Sequence, residues 1–326
     1  MKILVTGGSG FIGHNVVQQL EQQGHECLII DRHTTYGFIP SDELEFLVLE
    51  RLKKITSDLK QFDIRDTEVL STAFMLFQPE VVIHLASFPR QKVVGQNPLL
   101  ASDVMSTGLI NLLELSRQHH IRKFVYISSS MVYGDFDSGV DETAECKPIG
   151  QYGIMKYMGE KLVEDYTRQG HFEHVIIRPS AVYGELDVED RVVSKFMTRA
   201  LRDETLKVNG PSEVLDFTYV TDTAQGIALA ATQKCQHTIY NITRSASIET
   251  TLLDAANLCI KIAGKGTVEI ADRDLAFPSR GNLSISRAKQ DLGFNPKINI
   301  DEGLQRYYQW YLENSHLWEK DNDTIH

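Results

Sequence analysis

Short runs of consecutive apolar residues, rich in Val and Ile, recur through the first half of the chain. They lie at Lys2–Thr6, Cys27–Asp31, Val81–Ala86, Lys123–Ser129 and His174–Ser180. Continuous rather than alternating apolar positions suit strands covered on both faces, as in a parallel sheet. Between these runs the apolar spacing is helical, over Ile12–Gln23, Thr67–Phe77, Pro98–His119 and Tyr152–Gln169. Gly24 reads as the cap that ends the first helix and Asp66 as the cap that starts the second. This alternation predicts an α/β fold with an open, doubly wound parallel sheet.

Past Arg178 the rhythm changes to shorter, mixed elements: a helix over Glu189–Arg202, a strand-turn-helix passage over Val214–Thr232, and helices over Ile248–Ala263, Ser286–Leu292 and Asp301–Leu312. These predict a first domain of residues 1–178, to which a segment near 213–240 returns, and a smaller mixed α/β substrate domain of residues 179–320. No Pro, Gly or Ser linker separates the two, and residues 321–326 read as a frayed tail. The stretch Arg32–Ile55 is long for a connection after a second strand. Its latter part has helical spacing, with Ser41 or Asp42 as N-cap, and reads either as a surface decoration or as a flap over the active site.

The chain has 326 residues, 42% hydrophobic and 24% charged, with a net charge of −11. That is globular composition, and an acidic surface repels nucleic acid and anionic membranes. The four cysteines, Cys27, Cys146, Cys235 and Cys259, form no C-x-x-C pair, so reduced thiols in a cytoplasmic protein without a metal site are expected. The apolar start MKILV reaches glycines at once, too short for a signal core, and no segment offers ~18 uninterrupted apolar residues for a membrane span.

The glycines of Thr6-Gly7-Gly8-Ser9-Gly10-Phe11-Ile12-Gly13 lie between the first strand and first helix. Gly7 and Gly10 allow a sharp turn that brings main-chain N–H groups against a pyrophosphate, Phe11 and Ile12 open the helix, and Gly13 lets it pack on the sheet. The first domain is therefore predicted to be a dinucleotide-binding Rossmann domain. Asp31 follows Gly13 by eighteen residues, where a carboxylate accepts from both adenosine ribose hydroxyls and repels a 2′-phosphate, favouring NAD. Arg32 beside it is the feature that would suit NADP. Asp63 and Ile64 end another short strand and are candidates to bracket the adenine.

Tyr152 and Lys156 stand at i and i+4 on one helix face, about 5–6 Å apart at Cβ. A nearby ammonium, with the positive nicotinamide ring of an oxidised cofactor, favours the phenolate and lowers a phenol pKa that is ordinarily ~10, which makes tyrosine a usable base. Ser129, 23 residues earlier at a strand end, adds a hydroxyl donor. His84 at a strand end reads as a packed imidazole rather than a base.

With these motifs the chain resembles an extended short-chain dehydrogenase/reductase of the nucleotide-sugar epimerase/dehydratase branch. The matching pieces are TGGSGFIG, the Asp31 position, DIRD, HLAS, YISSSMVYG, YGIMK, RPSAVYG, DFTYVTD and SRGNLSISRAKQDLGFNP, spread over about residues 1–312. The resemblance implies Tyr152 as general base and acid, Lys156 as its electrostatic partner, and Ser129 at the catalytic Ser/Thr position. It also implies that Leu85, Ala86 and Ser87 line the cofactor by main chain, that Pro179 sits near the nicotinamide, and that Arg280 binds substrate phosphate. A homodimer built on the helices Pro98–His119 and Tyr152–Gln169 is expected by the same analogy.

Departures from the family pattern narrow the reaction. Met131 stands where dehydratases and decarboxylases carry an acid, and Ser130 replaces the dehydratase aspartate. A thioether transfers no proton, so 4-epimerisation of a nucleotide sugar through a transient ketone is the expected chemistry. A dehydrogenase, reductase or dehydratase is the alternative, and an NAD(H)-sensing module without turnover is a further one. Leu215 occupies a common phosphate-binding arginine position, Ser180 a common asparagine, and Met105 another asparagine. Arg90, Lys92, Arg191 and Arg244 are candidate substitutes for the missing contacts, with Ser130 and Ser180 as further substrate contacts.

Overall fold

The computed structural model describes residues 1–34, 36, 39–188 and 190–317. The first half alternates strand and helix: β1 Lys2–Thr6, α1 Phe11–Gln22, β2 Glu26–Ile30, α2 Ser41–Leu52, β3 Asp58–Lys60, α3 Thr67–Phe77 and β4 Val81–His84. Next come α4 Gln91–Gln96, α5 Pro98–Ser102, α6 Gly108–Gln118, β5 Lys123–Ile127, α7 Gly150–Arg168 and β6 Glu173–Pro179. The remainder runs β7 Val182–Tyr183, α8 Val192–Leu201, β8 Thr205–Asn209, β9 Thr218–Tyr219, α9 Val220–Thr232 and β10 Ile239–Ile242, then α10 Leu252–Ala263, β11 Thr267–Ala271, α11 Ser286–Leu292 and α12 Ile300–Glu313.

Seven parallel strands form one sheet in the order β10-β6-β5-β4-β1-β2-β3. The order reverses between β1 and β4, which opens a crevice at the carboxyl ends of the strands. The central strands are buried almost throughout, as their continuous apolar runs require. One core packs α1, α9 and α11 on one face through Val16, Leu20, Ile227 and Leu292; the other packs α3, α6 and α7 through Phe74, Leu112 and Val163. The segment over α9 and β10 lies in this first layer system, and so does α11, which the pattern alone did not attach to it. A third core joins α8, α10 and α12 to β8 and β11 through Phe196, Leu206, Ala256 and Tyr307.

Asp66 caps α3 by accepting from the N–H groups of Glu68 and Val69. Neither Ser41 nor Asp42 caps α2: Pro40 precedes it, no side chain bonds its first turn, and Ser41 is already helical. The long helix expected over Pro98–His119 is α5 and α6 joined by a π turn at Asp103–Thr107, with His119 at its end. The helix expected from Glu189 begins at Val192; Glu189 and the tail 321–326 lie outside the described residues. The insertion is no surface decoration. Ile39 and Leu47 are buried in the third core, against Tyr183, Leu186 and Tyr307.

A buried ion pair fixes α7 against the sheet. Arg178 of β6 donates to Glu160 of α7 from Nε at 2.9 Å and Nη2 at 2.6 Å, both side chains essentially inaccessible. The Ser128 hydroxyl, just past β5, donates to the same carboxylate at 2.5 Å. Removing one partner of such a pair leaves an uncompensated buried charge. Glu160→Gln is expected to lower the unfolding free energy by about 3–5 kcal/mol, read from the shift of the urea unfolding midpoint at unchanged slope.

Candidate active site

The crevice has a volume of about 650 Å³, and its floor is the loop between β1 and α1. Gly7 has φ +72 and its N–H donates to Ile30 O at 2.8 Å. A Cβ on Gly7 would lie 2.7 Å from Ala86 N, and one on Gly13 only 2.1 Å from Gly7 O. Side chains there would fill the cradle. Gly10 precedes α1 with no side-chain cap, so the first-turn amides around Phe11 and Ile12 are left for an anion. Leu85, Ala86 and Ser87 form the facing wall, with the N–H groups of Leu85 and Ala86 bonded to Thr6 O.

Asp31 is held at the crevice edge, accepting from Ser9 N at 3.2 Å and His33 N at 2.9 Å. Arg32 turns outward to Asp63 at 2.8 Å. This places a fixed carboxylate, rather than a guanidinium, where a ribose would lie. Asp63 lines the crevice, but its oxygens are taken by Arg32 and by Arg65 at 3.0 and 2.7 Å, and hydrogen bonding to Arg65 keeps its pKa below the ordinary carboxylate value. The carbonyl of Ile64 accepts from Asn111. Asp63 and Ile64 both line the crevice with these bonds in place.

Tyr152, Lys156 and Ser129 meet on the same crevice, beside Pro179. Gln91 of α4 accepts from Tyr152 N at 2.9 Å and fixes the start of α7. Ser129 Oγ accepts from Met131 N at 3.2 Å and lies close enough to the phenol to favour its ionised form. Lys156 is buried and donates to Ile127 O at 2.8 Å; its Nζ is 5.8 Å from the Tyr152 ring centre and 5.4 Å from that of Tyr126. Burial lowers its pKa to about 7, opposed by Glu160 four residues on. The expected lowering of the Tyr152 pKa drew on Lys156 and an oxidised nicotinamide together; in the cofactor-free site the direction is upward. Burial raises it, opposed by the charge of Arg191 and by hydrogen bonding to the Ser129 hydroxyl.

On the substrate side, Ser130 and Ser180 line the crevice and bond each other at 3.1 Å. Met131 is buried beside them. Arg90 donates to Asp190 O at 2.6 Å and is ion-paired with the same residue's carboxylate, while Arg191 lies 3.8 Å from Asp187. Both cations are thus on the crevice but engaged. Lys92 lines it too. Arg244 does not; it donates to Pro296 O at 3.1 Å, which corrects its place among the candidates. Met105 is buried in the core under the sheet. Arg280 lines the crevice, its Nε buried without a hydrogen-bond partner and its pKa lowered to about 10 by burial.

Two crevice arginines escaped the sequence reading. Arg273 follows β11 and reaches Glu213 at 3.5 Å beside the apolar Leu215; only the parallel pairing of β8 with β11, far apart in the chain, brings it there. Arg51 of α2 is the other. His84 is packed as expected, bonded to Thr6 Oγ1 at 2.7 Å with its pKa lowered to about 3 by burial. Among the described residues no group of His, Cys, Asp and Glu could hold a metal ion.

A glycine-cradled crevice at the switch point of a doubly wound sheet, with Ser, Tyr and Lys on its wall, defines a dinucleotide-dependent enzyme of the short-chain dehydrogenase/reductase type. The chain belongs to the NAD-dependent epimerase/dehydratase family, whose model matches residues 3–243. It is 31% identical to a putative UDP-glucose 4-epimerase of Methanocaldococcus jannaschii, over 96% of this chain and 99% of that one. It is 29% identical to a UDP-glucuronate 4-epimerase of Thermodesulfobacterium geofontis, over 96% and 97%. Its structure resembles the UDP-glucuronic acid 4-epimerase of Bacillus cereus, solved with UDP-glucuronic acid and NAD, with a TM-score of 0.88 at 28% identity, covering 96% of this chain and all of that one. NAD is the cofactor of this family, and the crevice fits it: the cradle, the open helix end and the fixed Asp31 are the parts a dinucleotide needs.

Because burial opposes ionisation of Tyr152, its phenol should stay protonated to above pH 10 in cofactor-free protein. The ultraviolet difference spectrum between wild type and Tyr152→Phe, followed against pH, is expected to show no phenolate below that value.

Proposed function

We propose that the protein is an NAD-dependent 4-epimerase of a nucleotide-activated sugar. The observation that carries this reading is the proton-transfer set on the crevice wall: Tyr152 with Ser129 beside it, and a thioether, Met131, next to them. Tyr152 takes the proton of the sugar hydroxyl and later returns it. Ser129, whose oxygen is already oriented by Met131 N, directs its O–H to the reacting oxygen. Lys156 holds the floor beneath the phenol and supplies positive charge while protonated. A bound NAD would supply the hydride acceptor and donor for the sugar carbon, with no net oxidation over the cycle. Elimination across C5–C6 would need a carboxylate base at position 131, and the Met131 thioether can neither abstract nor deliver a proton. Arg273 and Arg280 support a diphosphate-bearing substrate, since both are cations on the crevice lining, where Leu215 supplies none.

The test is conversion of UDP-, dTDP-, GDP- or CDP-hexoses to the 4-epimer, read by NMR without accumulation of NADH. Stoichiometric NADH would indicate a dehydrogenase instead. Tyr152→Phe is expected to lower kcat by about 10²–10⁴-fold with its unfolding midpoint retained; unchanged turnover would overturn the mechanism.

The same proposal includes a homodimer and a cytoplasmic site of action. Leu99, Ile110, Ile154 and Met158 are exposed apolar side chains on α5, α6 and α7, the surface that a second copy would cover. The cysteines are unpaired among the described residues, and no described helix is long and apolar enough to cross a membrane. Ile154→Asp is expected to shift the mass measured by light scattering from dimer to monomer.

A further inference from the structure

Arg51 belongs to the insertion between β2 and β3, on the helix α2, and its side chain is only 4% exposed. Its Nε and Nη2 both donate to the carbonyl of Leu186, at 3.2 and 2.6 Å; neither bond uses Nη1. Leu186 adopts φ +65, uncommon for a residue with a side chain, and it begins the segment that carries Asp187 into the crevice. A buried cation is ordinarily matched by a carboxylate. Here the bonded partner is a neutral carbonyl, and burial lowers the arginine pKa to about 10, only partly offset by Asp187 and Asp31. The charge also bears on His14, one turn into α1 and bonded to Gly10 O at 3.0 Å. Arg51 thus forms a wall between the glycine loop and the substrate-side segment, its hydrogen bonds going to a neutral carbonyl while Asp187, Asp31 and Glu43 are the carboxylates near enough to act on its charge.

We propose that Arg51 is a cofactor-binding residue that offers its charge to the diphosphate of the bound dinucleotide while holding Leu186, so that cofactor binding positions the substrate-side segment. Two further contacts tie the same region together. Tyr36 of the insertion stacks on Phe88 after β4, with ring centres 3.8 Å apart, and Arg90 grips Asp190 at the other end of the substrate-side segment. The insertion therefore reaches both walls of the crevice. The inference rests on the NAD-dependent reading of the site and adds a residue and a coupling to it.

The experiment is calorimetric titration of cofactor-stripped wild type and Arg51→Met with three probes: NAD, ADP-ribose, and adenosine, which carries no phosphate. Loss of a charge-assisted hydrogen bond is expected to weaken NAD and ADP-ribose by about ten- to a hundredfold, with adenosine affinity unchanged. Arg51→Lys, which keeps the charge, should recover part of that loss. Equal affinity for NAD in wild type and Arg51→Met, or an equal loss for adenosine, would overturn the proposal. Should Arg51→Met fail to fold, hydrogen exchange on the wild type decides it: NAD must slow exchange in both residues 41–52 and 184–188, and slowing in neither or only one rejects the coupling. If wild type binds no NAD at all, the functional reading itself fails, an outcome distinct from these.

Discussion

The arrangement of the site depends on one buried contact, the carboxylate of Glu160 held between Arg178 and Ser128. It ties α7 to the ends of two adjacent strands at once. Ser129 is the next residue after Ser128, and Lys156 lies one turn before Glu160, so the same contact sets the register between the hydroxyl, the phenol and the ammonium. Low dielectric makes the interaction strong and its loss costly. Glu160 also supplies the charge that opposes the desolvation of Lys156. The floor of the crevice is stiff for a definite reason, therefore, and the tyrosine is presented from a helix whose position is over-determined.

The electrostatics of the crevice run against those of the molecule. A net charge of −11 covers the chain as a whole, yet Arg51, Lys92, Arg191, Arg273 and Arg280 all line one cavity. Asp187 and Asp190 lie among them and take part of that charge. Such focusing of cations inside an acidic protein suits an anionic small molecule and repels polyanions at the surface. Position 215 carries Leu rather than an arginine, while Arg273 and Arg280 reach the same crevice from other segments.

The insertion changes the picture of how the two parts of the molecule are joined. Ile39 and Leu47 sink into the core of the C-terminal elements, although α2 belongs in sequence to the first half. The crevice is thereby walled by both parts, and its polar wall residues are held by main-chain carbonyls as much as by carboxylates.

Much of this was determined by the sequence alone. The continuous apolar runs gave the parallel strands within a residue or two, because a strand buried on both faces leaves no other pattern. The glycine loop, Asp31, Ser129, Tyr152 and Lys156 were legible for a similar reason, since close backbone approach and helical i, i+4 spacing are local properties. Tertiary structure alone decided where charges point. Arg90 and Arg32 read as free cations until their partners Asp190 and Asp63 were in place, Lys156 turned out to face a strand carbonyl, and Arg244 left the site entirely. Arg51 and Arg273 entered it from segments with no local signal, because a long side chain on a solvated-looking helix or strand end becomes a crevice residue only when distant elements close around it.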